Sequence, residues 1–398
     1  MYDAIVVGGG VVGMSTAYHL RRGGARTLLV DRGDPGRATD AGAGILSPET
    51  NSRDPDAWFD FAVEAVAYYP TLLQALQADD GGDTGYAQCG QMIVAVSEDE
   101  QEAFERAKRL IFARQRARGI PSATDLLEVS ASEAHTLFPE LAPVYGAIYH
   151  RCAARVDGRL LNQALRRAAV GRGLVTRQAG VERLIIQNHA VTGVIVAGET
   201  LSAGTVVIAG GAWSHAFGVQ LGVEIPVAPQ RGQIIHLSLS HADTAAWPMI
   251  SAFHGHYMVP WPDQRVVVGA TRETGSGFHP YATAAGVREV LTEALRVIPG
   301  LAAAEIRDIR VGLRPYSADT MPVLGPVPGV RGVSLATGHG PTGLTLGPYS
   351  GKVVADLILG TQPTVDISAF YVTRFAADAT TAWSPANDAE WHRSSVKR

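Results

Sequence analysis

With 398 residues the chain is longer than one hydrophobic core usually organises, so two domains are the natural expectation. Its 34 basic and 38 acidic residues give a net charge of −4 without a long basic run, which excludes the electrostatic footprint of a nucleic-acid binder. No window of about 18 uninterrupted apolar residues argues for a membrane span. Cys89 and Cys152 form neither a disulfide framework nor a C-x-x-C pair, and no basic stretch precedes the first apolar run; a cytoplasmic setting is expected.

The chain opens with an apolar run, 4–7, that ends in Gly8-Gly9-Gly10. A helix-like stretch over 11–20 is stopped by Gly23-Gly24, and a second strand, 27–30, ends at Asp31. This is a β-α-β unit with short connections. A Gly/Ala-rich loop over 32–48 follows. The apolar positions Trp58, Phe61, Val66 and Tyr69 then predict one helix over 57–77. A turn at 81–85 leads to a strand at 92–96 and a charged amphipathic helix over 98–118. Ser130 and Glu133 have the spacing of a capping box and predict a helix over 130–137.

Further along, the pattern predicts a helix over 157–171, a hairpin of 181–186 with 191–196, and a strand at 206–209 running into Gly210-Gly211. Strands are expected at 234–237, 256–259 and 265–268, and a helix at 287–298. A last strand, 333–337, enters a Gly/Pro turn and a helix over 343–359. Rossmann-like pieces therefore recur at the start, middle and end. They predict an α/β chain with a discontinuous Rossmann-like domain, 1–80, 145–225 and 305–365. A mixed, largely antiparallel-sheet substrate domain, 81–144 and 226–304, and a tail, 366–398, complete the expected division.

The first turn carries the chemistry. In Gly8-x-Gly10-x-x-Gly13 the first glycine permits a tight turn, the second lets the backbone approach a pyrophosphate, and the third lets the helix pack on the sheet. The helix N-terminus offers free N–H groups and a positive dipole end to phosphates. Asp31 closes the second strand, where an acid can accept from a ribose hydroxyl. The motif alone does not separate FAD from NAD. The small residues of 37–45 and two later crossings, 209–213 with Gly210 and 337–343, suggest a long, deeply buried cofactor. That favours FAD over a dissociable nicotinamide. The last helix is either a cover for the sheet or a dipole aimed at the flavin N1–C2 edge.

At these residues the sequence resembles the D-amino acid oxidase superfamily, and within it the glycine oxidases, over nearly the whole chain to about residue 360. The resemblance also includes Asp56-Ala57-Trp58-Phe59-Asp60-Phe61-Ala62, Pro229-Gln230-Arg231-Gly232-Gln233, Tyr257-Met258-Val259-Pro260, Val268-Gly269-Ala270-Thr271 and Gly312-Leu313-Arg314-Pro315. It implies non-covalent FAD held at Val11, Val12, Asp31, Arg32, Ala38, Thr39, Ala43, Gly44, Ile45 and Val181. It implies a further FAD contact along the loop His339, Gly340, Pro341, Thr342, Gly343, Leu344 and Thr345. Arg314 is implied to bind a substrate carboxylate, with Tyr257 beside it, in the oxidation of a C–N bond of glycine, sarcosine or a D-amino acid. A guanidinium suits that task, because it offers two parallel donors and stays charged. Tyr257 could equally be a packed strand residue.

Two positions depart from the glycine oxidase pattern. Arg272 stands where an apolar residue is expected, and Pro341 where the Gly-His loop carries an arginine. Arg272 either points inward, to a second acidic group on the substrate, or lies outside as a loop residue. His254 and His256 read as structural histidines, and no metal site is expected. The resemblance implies an amino acid or amine substrate and O2, a quinone or a protein as electron acceptor. A tailoring role on a larger amino-acid-like substrate, and a flavin-binding module without turnover, are the competing readings. A homo-oligomer is compatible with the sequence.

Overall fold

The computed structural model describes residues 1–52, 55–240 and 242–378. Strand Tyr2–Val7 lies at the centre of an eight-stranded sheet, parallel to Thr27–Asp31 on one side and to the end of Glu199–Ile208 on the other. Alternation decides which layer each side chain joins. Ala4, Val6 and Leu29 pack with helices Val11–Arg22 and Gly343–Ile358. Ile5, Val7, Leu28 and Val30 pack with Leu184, Val194 and Val196 of the antiparallel hairpin Val181–Gln187 and Ala190–Val196. The two helices meet closely: a Cβ on Gly351 would lie 2.7 Å from Thr16 N.

A second sheet of nine strands is built on Val227–Ser238, every residue of which is buried. It pairs antiparallel with Glu305–Ser317 and, on its other side, with Arg265–Gly269. The sheet continues through Tyr257–Trp261, Met249–Ala252, Gln91–Ala95, Gly146–His150 and Leu126–Val129. Helix Ala284–Val297 covers one face through Val290, Ala294 and Val297.

Several expectations change. The single helix over 57–77 is two, Asp56–Ala67 and Tyr69–Ala78. Pro70 lacks the N–H that would continue the ladder, and it sits in the first turn of the second helix, where none is needed. The strand expected at 206–209 runs over Glu199–Ile208 and changes partner midway, antiparallel to the hairpin first and parallel to Tyr2–Val7 afterwards. Strand Glu305–Ser317 was not expected at all. Gly146–His150 and Glu305–Ser317 hydrogen-bond into the second sheet, so the sheets divide the chain differently from the expected segments. The capping box at Ser130 forms as expected, with Glu133 N donating to Ser130 Oγ and Ser130 N to Glu133 Oε2. The tail packs through Phe370, whose ring centroid is 5.0 Å from that of Phe61. Trp383, Pro385 and Trp391 lie outside the described residues. Among the described residues no helix is long and apolar enough to cross a membrane.

Four histidines are held neutral inside the fold. Burial pushes His19, His150 and His236 down to about 4 and His339 to about 3. An unfolded chain releases them to their ordinary value near ~6.5. Between that value and about 4 the unfolded state binds more protons than the folded one, so these groups make stability rise with pH in this window. Urea midpoints should therefore fall steeply as pH drops from about 6.5 toward 4. A midpoint that held constant across that range would contradict the buried neutral state.

Candidate active site

The Gly-rich crossings of the nucleotide sheet converge on one cavity of about 490 Å³ that reaches the second sheet. Gly8 turns the chain with φ +108°, and a Cβ there would lie 2.3 Å from Ala209 O. Gly13 stays out of the cavity: its Cβ would lie 2.1 Å from Gly8 O, so it serves the helix–strand contact. Helix Val11–Arg22 starts at Gly10 without a capping side chain from that residue and without an acid in its first turn. Thr39 Oγ1 accepts from Val11 N at 3.0 Å. The remaining positive end of the helix faces the cavity wall formed by Gly9, Gly10 and Val12, as a pyrophosphate requires.

Asp31 also lines the cavity, and its Oδ2 accepts from Arg37 Nη2. Arg37 was missed as a site residue; a second cation six positions after the acid, in a loop of small residues, was the available signal. Loop 42–45 passes close to its neighbours. A Cβ on Gly44, at φ +83°, would lie 1.8 Å from Val156 O, and one on Gly42 2.6 Å from Leu344. Every residue expected to hold the cofactor lines this cavity except Gly13 and Thr342. Thr342 instead donates from Oγ1 to His339 O at 2.9 Å. His339 is buried, with Nε2 3.0 Å from Ser350 Oγ. The turn Gly340–Thr342 delivers the N-terminal end of helix Gly343–Ile358 to the same cavity. A bare helix end, a strand-terminal acid and a long glycine-walled cavity fit FAD.

At the other end the second sheet supplies Arg314. Register places Arg314 opposite Gln230, and Gly312 opposite Gly232. A Cβ on Gly232 would lie 2.4 Å from Arg314 Cζ, so the guanidinium occupies space that any other residue would fill. Arg314 Nη1 donates to Thr271 O at 2.8 Å. Tyr257 hydrogen-bonds with Arg314. Burial pushes the Tyr257 phenol up, which keeps it neutral. Burial also pulls the guanidinium down, with Tyr257 opposing, yet a guanidinium remains charged at any working pH.

Arg272 lines the cavity at its exposed rim, and its Nη1 donates to Gly255 O at 2.8 Å. It is therefore neither deep inside nor away from the site. Pro341 lines the cavity too. Trp213 and Phe278, which sequence reasoning did not assign, stand in the lining with ring centroids 5.1 Å apart. His254 lies elsewhere, between Asp99 Oδ2 at 3.0 Å and Glu293 Oε2 at 3.1 Å. Burial lowers its affinity for a proton, but the two carboxylates outweigh this and raise it. His256 is buried and held below its ordinary value. His254 is exposed and ion-paired, His256 is buried, and neither lines the cavity. Among the described residues no three metal-ligating side chains stand together.

A nucleotide fold and a strand-borne cation sharing one cavity define an FAD-dependent oxidoreductase. The family described as FAD dependent oxidoreductase, the D-amino acid oxidase family, matches residues 3–357, and the chain belongs to it. It is 38% identical to an oxidoreductase of Bacillus subtilis, over 93% of this chain and 98% of that one. It is 32% identical to glycine oxidase of Pseudomonas putida, over 92% and 96%. The crystal structure of iminodiacetate oxidase from Chelativorans sp. BNC1 superposes with a TM-score of 0.86 at 36% identity, covering 92% of this chain and 98% of that one. The expected resemblance and the expected FAD are thereby borne out.

Gly8→Ala places a methyl group against Ala209 O at a backbone angle unfavourable to L-residues. The purified variant should lose most of its bound flavin, read as the ratio of visible flavin absorbance to protein. Full retention would show that the turn tolerates a side chain.

Proposed function

We propose that this protein oxidises the C–N bond of a small amino acid or secondary amine that carries a carboxylate. The observation that carries the reading is the Arg314 guanidinium, laid against the cavity wall beside Tyr257. Among the described residues its hydrogen bonds run to Thr271 O, Gln230 Oε1 and Tyr257, not to a carboxylate of the protein. A substrate carboxylate supplies that missing charge through a bidentate pair. Tyr257 adds a neutral donor. Bound FAD supplies the acceptor for the hydride removed from the carbon next to nitrogen. Arg314 and Tyr257 contribute orientation, and a neutral substrate amine needs no base from the protein. The amine loses a hydride and a proton to become an imine, and water then converts it to a 2-oxo acid and a free amine or ammonia. The two electrons and two protons pass to O2, giving H2O2, or to another acceptor.

Arg272 favours a substrate with two carboxylates. It is a cation on the rim, at a position where the resemblance to the glycine oxidases implies an apolar residue. Similarity to an iminodiacetate oxidase, whose name describes a secondary amine with two carboxylates, supports the same choice. Arg314 then holds one carboxylate and Arg272 meets the other.

Arg314→Ala should raise KM for carboxylate substrates about 10- to 100-fold, the equivalent of losing a charge-assisted pair, with FAD content unchanged. Unaltered kinetics across glycine, sarcosine, D-alanine and iminodiacetate would remove Arg314 from the site. Arg272→Met should shift the kcat/KM ratio of iminodiacetate to sarcosine toward sarcosine by about tenfold. An unmoved ratio would place the second carboxylate elsewhere. Anaerobic reduction followed by timed exposure to air identifies the acceptor: reoxidation within the turnover time marks O2, and slow reoxidation marks a different acceptor.

A further inference from the structure

Behind the Arg314 wall lies a carboxylate that the reaction itself does not use. Side chains alternate along Val227–Ser238, so Gln230 and Gly232 share the face on which Arg314 lies, and Arg231 and Gln233 point to the reverse face. On that reverse side Glu273 accepts from Arg231 Nε at 3.0 Å, from Gln233 Nε2 at 2.6 Å and from Thr271 Oγ1 at 2.7 Å. Glu273 is not part of the cavity lining. Thr271 is fully buried and held from two sides, because its Oγ1 also accepts from Gln233 N at 3.0 Å. Its carbonyl is the acceptor for Arg314 Nη1. Two hydrogen bonds, one at each end of Thr271, thus join Glu273 through that residue's side chain and backbone to the guanidinium.

The same carboxylate organises the segment 279–283 that leads into helix Ala284–Val297. Arg231 Nη1 donates to His279 O at 3.2 Å, and its guanidinium lies 4.8 Å from the centre of the Tyr281 ring. Gln233 Oε1 accepts from Thr283 N at 2.9 Å, at the start of helix Ala284–Val297. Burial alone would raise the Glu273 pKa, but Arg231, Gln233 and Thr271 outweigh it and keep the group ionised. A carboxylate with both oxygens satisfied gives this network one stable geometry.

We propose that Glu273 is a positioning residue for Arg314: acting through Thr271, it fixes the guanidinium at the angle that receives the substrate carboxylate. The proposal rests on the reading of Arg314 as the carboxylate anchor. Glu273→Gln keeps the shape but loses the charge that orders Arg231 and Thr271. Neither Glu273 nor the Thr271 side chain touches the cavity, so their effect falls on binding and not on the hydride step.

The experiment uses the full-length, FAD-loaded enzyme with the best of glycine, sarcosine and iminodiacetate as substrate. Glu273→Gln should raise KM about tenfold, with kcat within about twofold and flavin content unchanged. The inhibition constant of acetate, a carboxylate without an amine, should rise in parallel. In the Arg314→Ala background the same substitution should change KM by less than about twofold, because its route to the substrate is gone. Thr271→Val removes the hydroxyl's bond to Glu273 together with the one it accepts from Gln233 N, and should shift KM and the acetate constant in the same direction; it carries the test if Glu273→Gln fails to fold. Additive effects of Glu273→Gln and Arg314→Ala, or an unchanged KM in folded Glu273→Gln and Thr271→Val, overturn the proposal and leave the Arg314 reading standing. An Arg314→Ala enzyme with unchanged KM overturns both.

Discussion

A planar cation can lie flat against a β-sheet only where the sheet leaves room for it. Gly232 leaves that room, opposite Gly312 and two pairs along from the position where Gln230 faces Arg314. The pairing of Val227–Ser238 with Glu305–Ser317 therefore does more than close a sheet. It sets where a positive charge meets the cavity that the nucleotide fold opens from the other side. A slip of one residue in this register would turn Arg314 to the opposite face and bring Leu313 into its place.

The nucleotide half was legible because its constraints are local. Gly8, Gly10 and Gly13 sit within one turn and the start of one helix; Gly13 answers to Gly8, Gly8 to the end of the adjoining strand at Ala209, and Gly10 to Thr39. The capping box at Ser130 was legible for the same reason. Pro70 was equally local, and the apolar spacing on either side of it hid the break between two helices.

The substrate half resisted for a different reason. Glu305–Ser317 begins with exposed, mostly charged positions, so no apolar alternation announces a strand until its buried end. Arg314 depends on partners at Gln230, Gly232, Tyr257 and Thr271, all far away in sequence, and no spacing rule connects them. Its candidacy came from resemblance, and its surroundings only from the fold. Arg272 was left between two orientations, and the structure sets it at the rim, which neither alternative described. Gly13 and Thr342 show the reverse case. Each belongs to a motif that lines the cavity, yet each spends its contacts on holding the motif's backbone in shape.

The rim position of Arg272 has a consequence for how such an enzyme changes over time. Its side chain is exposed, away from the glycine contacts that fix the nucleotide fold. Substitutions there leave the costly close approaches of Gly8, Gly44 and Gly351 intact. If Arg272 selects the substrate as proposed, cofactor retention and substrate choice are separate inheritances: the first is locked by backbone crowding, and the second is written in a side chain open to solvent. On the proposed reading, a lineage can exchange one small amine for another at this edge without passing through a protein that fails to fold.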